Sequence, residues 1–217
     1  MMTIVTKDIA CNGEVLTLTN QRVVFWERTQ ILILSDLHIG KVAHFRKNGI
    51  PIPSDVLQKD LLRLEELIKH FNPKTLLLVG DLFHAELNSD VLQFKNWTHQ
   101  FPNLKLILVK GNHDRQNFEL YDNLNIEIIS NKLDVFPFTF MHDVKDNDEN
   151  SFYISGHMHP GVIIKGKAKQ RITLPCYQVT KKQLILPAFS LFTGLNTHNP
   201  TDVIDIYAFS ESNIFKI

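Results

Sequence analysis

Three apolar runs in the first half of the chain each end in polar side chains. The runs at 31–35, 75–79 and 104–109 are continuous rather than alternating, which is typical of strands covered on both faces. Helical segments separate the runs, and this alternation predicts an α/β sheet. Because α/β folds place their sites at the carboxyl ends of such strands, we expect a functional site where these runs end.

Two helices are predicted between the runs. The first begins at Ser54, a residue type that commonly caps helices, and its apolar residues follow at helical spacing. These apolar residues are Leu57, Leu61, Leu64, Ile68 and Phe71. The second helix is expected to begin near Ser89.

Short strands dominate the remainder of the chain. Segments 14–19 and 22–26 flank Asn20 and Gln21, which predicts a hairpin. Consecutive short strands are predicted in the second half, within segments 138–143, 152–160, 161–166, 171–179, 183–189, 202–209 and 213–217. Since no repeat or linker interrupts this order, we expect a single domain spanning residues 1–217.

The composition narrows the class of protein. Hydrophobic residues make up 44% of the chain, and Lys plus Arg equals Asp plus Glu at 23 each. This balance argues against a strongly basic nucleic-acid binder but allows a local basic patch. Cys11 and Cys176 are the only cysteines, which argues against a disulfide scaffold and favours a reducing compartment. The sequence shows neither a signal peptide nor an apolar run of membrane-spanning length, so we expect a cytoplasmic protein with no membrane partner.

Metal-ligand residue types cluster at the ends of five apolar runs. Singly they are weak indicators, because a lone histidine at a strand end is more often structural than a ligand. Together their carboxylates, amide and imidazoles form a mixed oxygen and nitrogen set that suits Mn, Fe or Zn. The candidates are Asp36, His38, Asp81, Asn112, His113, His142, His157 and His159.

The spacing and number of these residues favour two ions. Asp36 and His38 lie two positions apart on a segment expected to be extended, so their side chains can reach the same side; His157 and His159 share that spacing. Without His113 there are seven candidate ligands, more than one tetrahedral ion needs. Two ions that share a bridging carboxylate account for the set.

The order of the motifs resembles that of a known family. The blocks DLH, GD, GNHD, MHD and GHMH, between residues 36 and 159, are similar to the five motif blocks of the calcineurin-like metallophosphoesterase superfamily. The resemblance implies an α/β fold, a two-sheet β-sandwich flanked by helices in an α/β/β/α arrangement. It also implies a metal-dependent phosphoesterase that uses two divalent ions, with Mn favoured over Fe or Zn.

The resemblance also implies a role for each residue. Asp81 bridges the two ions, and His113 lies outside the metal shell and faces the substrate. The remaining ligands divide into Asp36, His38 and His159 on the first ion, and Asn112, His142 and His157 on the second. In such a site a hydroxide between the ions would attack phosphorus in line, and His113 would either protonate the leaving oxygen or stabilise the developing charge as imidazolium.

One block departs from the family pattern. Many members have G-D-x-x-D, in which the second Asp orients the catalytic histidine, whereas this chain has GDLFHA and places His84 there. His84 is therefore expected either to support His113 or to contact substrate. Asp114 is the alternative carboxylate partner for His113.

The substrate is indicated by two further stretches. The first block is directly followed by Lys41, His44 and Arg46. These side chains are expected either to contact phosphate or to lie on a solvated helical turn. With GDLFHA and LPAFSLFTGLN, this stretch is similar to the bacterial ligase-associated DNA-damage-response phosphoesterases. That branch implies a phosphodiester substrate (DNA or a nucleotide), endonuclease activity, a DNA repair role, and a functional link to a DNA ligase or helicase.

Other interpretations remain open from sequence. Residues 161–182 contain six Lys or Arg and no acidic residue. These basic residues either form a path for phosphates or prevent the edges of strands from pairing with other chains.

A small-molecule phosphomonoesterase or pyrophosphatase of the same superfamily is the nearest alternative activity. A non-catalytic scaffold that retains the fold is the alternative of another class. The oligomeric state is left open.

Overall fold

Two mixed β-sheets form the body of the protein in the computed structural model, which describes residues 2–53, 55–84, 88–114, 121, 124–145, 150–198 and 200–217. The strands of the first sheet pair in chain order; they are β1 (Thr6–Cys11), β2 (Glu14–Thr19), β3 (Val24–Trp26), β4 (Ile31–Leu34), β5 (Thr75–Val79), β6 (Lys105–Val109) and β7 (Ile126–Ile129). The first four strands are antiparallel neighbours, whereas β4 to β7 run parallel. The parallel half carries the site.

The second sheet is built from the later strands. They are β8 (Lys132–Val135), β9 (Phe138–Met141), β10 (Phe152–Ser155), β11 (Gly161–Lys165), β12 (Arg171–Thr180), β13 (Gln183–Ile185), β14 (Val203–Phe209) and β15 (Ile214–Lys216). Their order is β15-β14-β12-β13-β10-β9-β8, and β11 pairs with β12 outside that path. The strands β9, β10 and β13 run parallel.

The described residues include three α-helices: α1 (Lys41–Lys47), α2 (Val56–Phe71) and α3 (Ser89–Thr98). Alternate residues of the parallel strands enter two separate cores. In β5, Leu76 and Leu78 contact the apolar residues of α2 and α3, whereas Leu77 and Val79 pack between the two sheets. This arrangement explains why the run is apolar throughout, since both of its faces are covered.

The two-sheet sandwich flanked by helices is confirmed, and so are the hairpin near Asn20 and the strands of the second half. The helix at Ser89 begins as predicted, because the Asn88 side chain caps it by accepting from the N–H groups of Asp90 and Val91. The predicted cap Ser54 lies outside the described residues. Among the helices that the structure describes, none is both long and apolar enough to cross a membrane.

Candidate metal centre

The candidate ligands lie together at the carboxyl ends of strands from both sheets. Asp36 and His38 follow β4, Asp81 follows β5, and the turn with Asn112 and His113 follows β6. From the second sheet, His142 follows β9, and His157 and His159 follow β10. The parallel direction of these strands brings the ligands to one edge of the sandwich.

Six of the predicted ligands form two compact groups. Each group offers one carboxylate and two imidazoles, whose donor atoms lie within 4.8 Å of one another. The first group is Asp36, His38 and His159, and the second is Asp81, His142 and His157. The roles implied by the family resemblance divide the histidines of these groups between two ions in the same way, with Asp81 as the carboxylate shared by both.

The backbone of these ligands departs from the extended conformation expected from sequence. Asp36 (φ 58°) and His38 (φ 51°) lie in the left-handed region, and so do Asp81 (φ 52°), His157 (φ 68°) and His159 (φ 47°). The extended segment proposed for Asp36 and His38 is therefore wrong. Their side chains converge because the chain turns sharply after β4. Left-handed non-glycine residues cost free energy and concentrate at functional sites.

Asp36 is the most enclosed carboxylate of the centre. Its Oδ1 atom lies 2.9 Å from Nε2 of His159, and its Oδ2 accepts hydrogen bonds from the N–H of His157 (3.1 Å) and from the Ser35 hydroxyl. The N–H of Ser190 donates to its backbone carbonyl at 3.2 Å. The contacts with His157 and His159 connect Asp36 to the loop that follows β10.

Two glycines leave space for these ligands. A Cβ atom on Gly80 would lie 2.2 Å from Nδ1 of His142, and one on Gly156 would lie 1.7 Å from the Ser35 hydroxyl oxygen. Real Cβ contacts are never this short, so neither position accepts a side chain without displacing the centre. Neither glycine was predicted from sequence to matter, although both lie directly beside predicted ligands in VGD and SGH.

His142 is oriented by the strand that precedes Asp81. Its Nδ1 lies 2.9 Å from the carbonyl of Val79 and donates to it, which turns Nε2 toward Asp81, 3.3 Å from Oδ2. Burial alone lowers the pKa of His142, but the two nearby carboxylates, Asp81 and Asp36, outweigh it and raise the pKa to about 9. Burial likewise raises the pKa of Asp81, and the His142 ring outweighs it, lowering that pKa to about 2.

His38 fits the neutral form that metal coordination requires. Both of its ring nitrogens are buried and have no hydrogen-bond partner among the described residues. Burial lowers the pKa of His38 to about 4. A buried, neutral imidazole with free nitrogens beside Asp36 is the donor expected of a divalent-ion ligand, so the residues fit the ions that the motifs imply.

The turn after β6 carries Asn112 and His113. The N–H of His113 donates to Oδ1 of Asp81 at 2.9 Å, and both Asn112 and His113 are exposed. Asp114 is buried, and its two carboxylate oxygens accept from the N–H groups of Phe83 and Gly111, each at 2.9 Å. Asp114 thus ties the turn to the segment after Asp81 and holds His113 through the backbone.

His84 packs among the rings of the centre. Its ring centroid is 4.9 Å from that of His113, with the planes 28° apart, and 5.5 Å from that of His38. Phe45 stacks on His84 at 6.3 Å and 17°. Burial, followed by electrostatic repulsion from His113 and Lys41, lowers the pKa of His84 to about 4.

Helix α1 borders the centre with one of its faces. The N–H of Lys41 donates to the carbonyl of His38 at 3.1 Å, and burial lowers the pKa of the Lys41 side chain against the opposing charges of Asp36 and Asp81. His44, on the next turn, has its ring centroid 6.1 Å from that of His84. Arg46 is exposed on the same helix. The contacts of Phe45 with His84 and of Phe192 with Lys41 were not predicted from sequence.

Two mixed sheets with carboxylates and imidazoles gathered at one edge are the arrangement expected of a metal-dependent phosphoesterase. The family model for calcineurin-like phosphoesterases matches residues 29–202, and the chain belongs to that family, whose members use dinuclear metal sites. The structure is similar to that of the nuclease MPE from Pseudomonas putida, with a TM-score of 0.83 and 25% sequence identity over 98% of this chain and 100% of that one.

A second solved structure that matches is YfcE, a phosphoesterase from E. coli. Its TM-score is 0.43 and its identity 13%, over 86% of this chain and 97% of that one. No curated protein matches the chain in sequence.

Proposed function

We propose that this protein is a two-metal phosphodiesterase that acts on nucleic acid or a nucleotide. The observation that carries the proposal is the pair of ligand groups, each a carboxylate with two imidazoles, that share one edge of the sandwich. The similarity to a nuclease supports the choice of a phosphodiester substrate. In this proposal, Asp81 would be shared by two divalent ions, with Mn²⁺ as the expected metal, and Asn112 would complete the ligands of the second ion.

The roles of the side chains follow from their positions. Two divalent cations supply an activated water and neutralise phosphate charge. His142 holds its Nε2 toward the second ion because Val79 accepts from its other nitrogen. His113 is exposed beside the first group, with its ring 5.6 Å from that of His38, where it can donate a proton to the leaving oxygen. Lys41 and His44 border the same opening and are expected to contact phosphate, with Arg46 farther along the helix.

The test compares substrates with Mn²⁺ added and the metal content measured. Bis-p-nitrophenyl phosphate, p-nitrophenyl phosphate, 2′,3′-cyclic nucleotides and plasmid DNA distinguish diesterase, monoesterase and nuclease activity. Asp81→Asn should abolish turnover and reduce the bound metal, because a bridging carboxylate cannot be replaced by an amide. Turnover that survives Asp81→Asn contradicts the bridging role, and a preference for p-nitrophenyl phosphate contradicts the diesterase proposal.

We further propose a DNA repair role in the cytoplasm, together with a DNA ligase or helicase, for residues 1–217 acting as one domain. The similarity to the ligase-associated branch and to a nuclease supports this role. Deletion of the gene should raise sensitivity to DNA damage, and the Asp81→Asn protein should fail to restore resistance. Restoration by the inactive protein would contradict a catalytic role in repair.

A further inference from the structure

A hairpin leaves the sandwich directly after the metal centre. The strand β11 and the first half of β12 pair antiparallel from Gly161 opposite Pro175 to Lys165 opposite Arg171, and β11 pairs with no other strand among the described residues. We call residues 161–175 the arm. At its base, the N–H of Gly161 donates to the carbonyl of Asn196, and the N–H of Asn196 donates to the carbonyl of His159. The arm is therefore anchored to a predicted metal ligand.

The end of the arm is exposed and carries unbalanced positive charge. Every side chain described between Lys165 and Thr173 is exposed, and four of these residues are basic: Lys165, Lys167, Lys169 and Arg171. Between residues 161 and 182 there is no acidic residue. Within the part of the chain that the structure describes, none of these four cations forms an ion pair.

The arrangement of the charges opposes the stability of the hairpin. Lys165 lies directly opposite Arg171 in the register, and like charges at directly opposed positions destabilise an antiparallel pair. Lys167 and Lys169 add two more charges in the turn between the strands. An anionic partner would relieve this repulsion between the cations.

Protection of the strand edge does not account for this pattern. Lysines on an edge strand prevent edge-to-edge pairing, and Lys165 on β11 fits that role. Lys167 and Lys169 do not fit it, because they lie in a short 3-10 turn that has no strand edge to protect. Protection of a strand edge therefore does not explain Lys167 and Lys169, two of the four basic residues of the arm.

The length of the arm suits a chain of phosphates. Lys165 follows His159 by six positions, which spans about 20 Å of extended chain at roughly 3.3 Å per residue. Phosphates of one strand of a duplex are spaced about 3.4 Å apart along the helix axis. For a duplex that lies along the arm, this span corresponds to at most roughly six nucleotides from the metal centre.

We propose that the arm binds the phosphate backbone of a nucleic acid several nucleotides from the reacting diester, and thereby favours polymeric substrates. This inference rests on the proposed phosphodiesterase function. The base of the arm is fixed at the metal centre and its charged end is free, so a strand that enters the centre can extend along the arm. The contacts are to phosphates, so they carry no base preference.

The binding test uses the metal-loaded chain and a labelled phosphorothioate oligonucleotide of 20 nucleotides, which keeps its charges but resists cleavage. In fluorescence anisotropy, Lys165→Gln/Arg171→Gln and Lys167→Gln/Lys169→Gln should each weaken binding by about tenfold at low salt. The slope of log K against log salt should fall by about 1.4, since each cation lost removes about 0.7 for a single strand. Melting temperatures should stay equal or rise, because like charges have been removed.

The matched control is Lys74→Gln/Lys105→Gln. These lysines lie at the amino ends of β5 and β6, opposite the metal centre, and their loss removes the same charge. This control should leave binding within twofold of the wild type. An equal loss of binding in the control overturns the proposal, because net charge would then explain the effect. Unchanged binding in both arm variants also overturns it.

Measurements of turnover distinguish the role of the arm from the proposed phosphodiesterase activity on which it rests. The ratio of activity on a cleavable 20-nucleotide strand to activity on bis-p-nitrophenyl phosphate should fall about tenfold in the arm variants. An equal loss on both substrates overturns a role specific to polymers. A wild-type chain that hydrolyses no diester contradicts the proposed function, and the anisotropy measurement still decides whether the arm binds nucleic acid.

Discussion

The imidazole of His84 lies nearly flat against that of His113, with ring centroids 4.9 Å apart. His84 occupies the position at which many family members have an acidic residue. Its pKa, lowered by burial to about 4, keeps the ring neutral, so it offers His113 no charge. Phe45 stacks on the same ring at 6.3 Å. We infer that ring packing, rather than a charged hydrogen bond, orients His113 in this protein.

Substitution of His84 distinguishes packing from hydrogen bonding. His84→Phe keeps an aromatic ring in the stack, whereas His84→Ala removes it. If packing orients His113, the alanine variant should lose about 10- to 100-fold in kcat on bis-p-nitrophenyl phosphate, and the phenylalanine variant should keep most of the activity. Metal content, measured by mass spectrometry, should be unchanged in both. Equal loss in both variants would instead assign a substrate or proton contact to a ring nitrogen.

The sequence predicted which side chains gather at the centre better than the backbone turns that bring them together. Continuous apolar runs identified β4, β5 and β6, because burial on both faces leaves a pattern that sequence shows directly. The left-handed turns at Asp36 and His38 left no such pattern, since they depend on contacts with distant loops. The strand β1 was not assigned either, although Asn12 and Gly13 mark its turn into β2.

Some important contacts resemble ordinary surface charges in the sequence. Asp60 and Arg63 are spaced like an exposed helical pair, yet their side chains are only 2% and 8% exposed. They lie beneath the loop after β13, where Phe189 donates its N–H to the carbonyl of Ser35. Helical periodicity cannot show that this pair is buried, because the loop that covers it lies far along the chain.

Gly80 should be indispensable for metal binding. It has φ +82°, and a Cβ atom there would lie 2.2 Å from the His142 ring. Gly80→Ala should therefore displace His142 and lower the metal content from two ions toward one. Gly13→Ala is the control, because Gly13 has the same φ and nothing within 4 Å of its Cβ position. Both variants should lose about 1 kcal/mol of stability from backbone strain, but only Gly80→Ala should lose metal and activity.

The Asp60 and Arg63 pair should contribute strongly to stability. The Arg63 guanidinium lies 3.1 Å from Asp60, donates to the carbonyl of Phe189, and covers the Phe189 ring at 4.1 Å. Asp60→Ala leaves this cation buried without its partner, and we expect a loss of about 3–5 kcal/mol in the free energy of unfolding. Urea denaturation provides the measurement.

The control for this pair lies on the same helix. Glu65 pairs with Lys69 at 2.5 Å, and the Lys69 side chain is 66% exposed. Glu65→Ala should cost less than about 1 kcal/mol. The double variant Asp60→Leu/Arg63→Met should recover much of the loss, because it removes the buried charge altogether. Similar losses for Asp60→Ala and Glu65→Ala would contradict a structural role for the buried pair.

The pKa values of the centre predict how metal removal affects stability. Without metal, nearby carboxylates outweigh burial and raise the pKa of His142 from 6.5 to about 9. A raised pKa in the folded state stabilises the chain fully below pH 6.5, and this contribution is lost as the pH rises through about 9. The lowered pKa of Asp81, about 2, contributes equally throughout that range. Cys11 and Cys176, whose pKa burial raises to about 12, affect stability only above pH 9.

The chelated protein should therefore lose thermal stability between pH 6.5 and pH 9, whereas the Mn²⁺-loaded protein should not. A bound ion needs the neutral imidazole of His142, so coordination replaces the proton and removes this dependence on pH. The difference in Tm between loaded and chelated protein, measured by scanning fluorimetry, should widen as the pH rises. His142→Asn should flatten the chelated profile, because it removes the titrating ring. If the difference in Tm between loaded and chelated protein stays constant or narrows toward pH 9, His142 does not carry the proton that metal binding displaces.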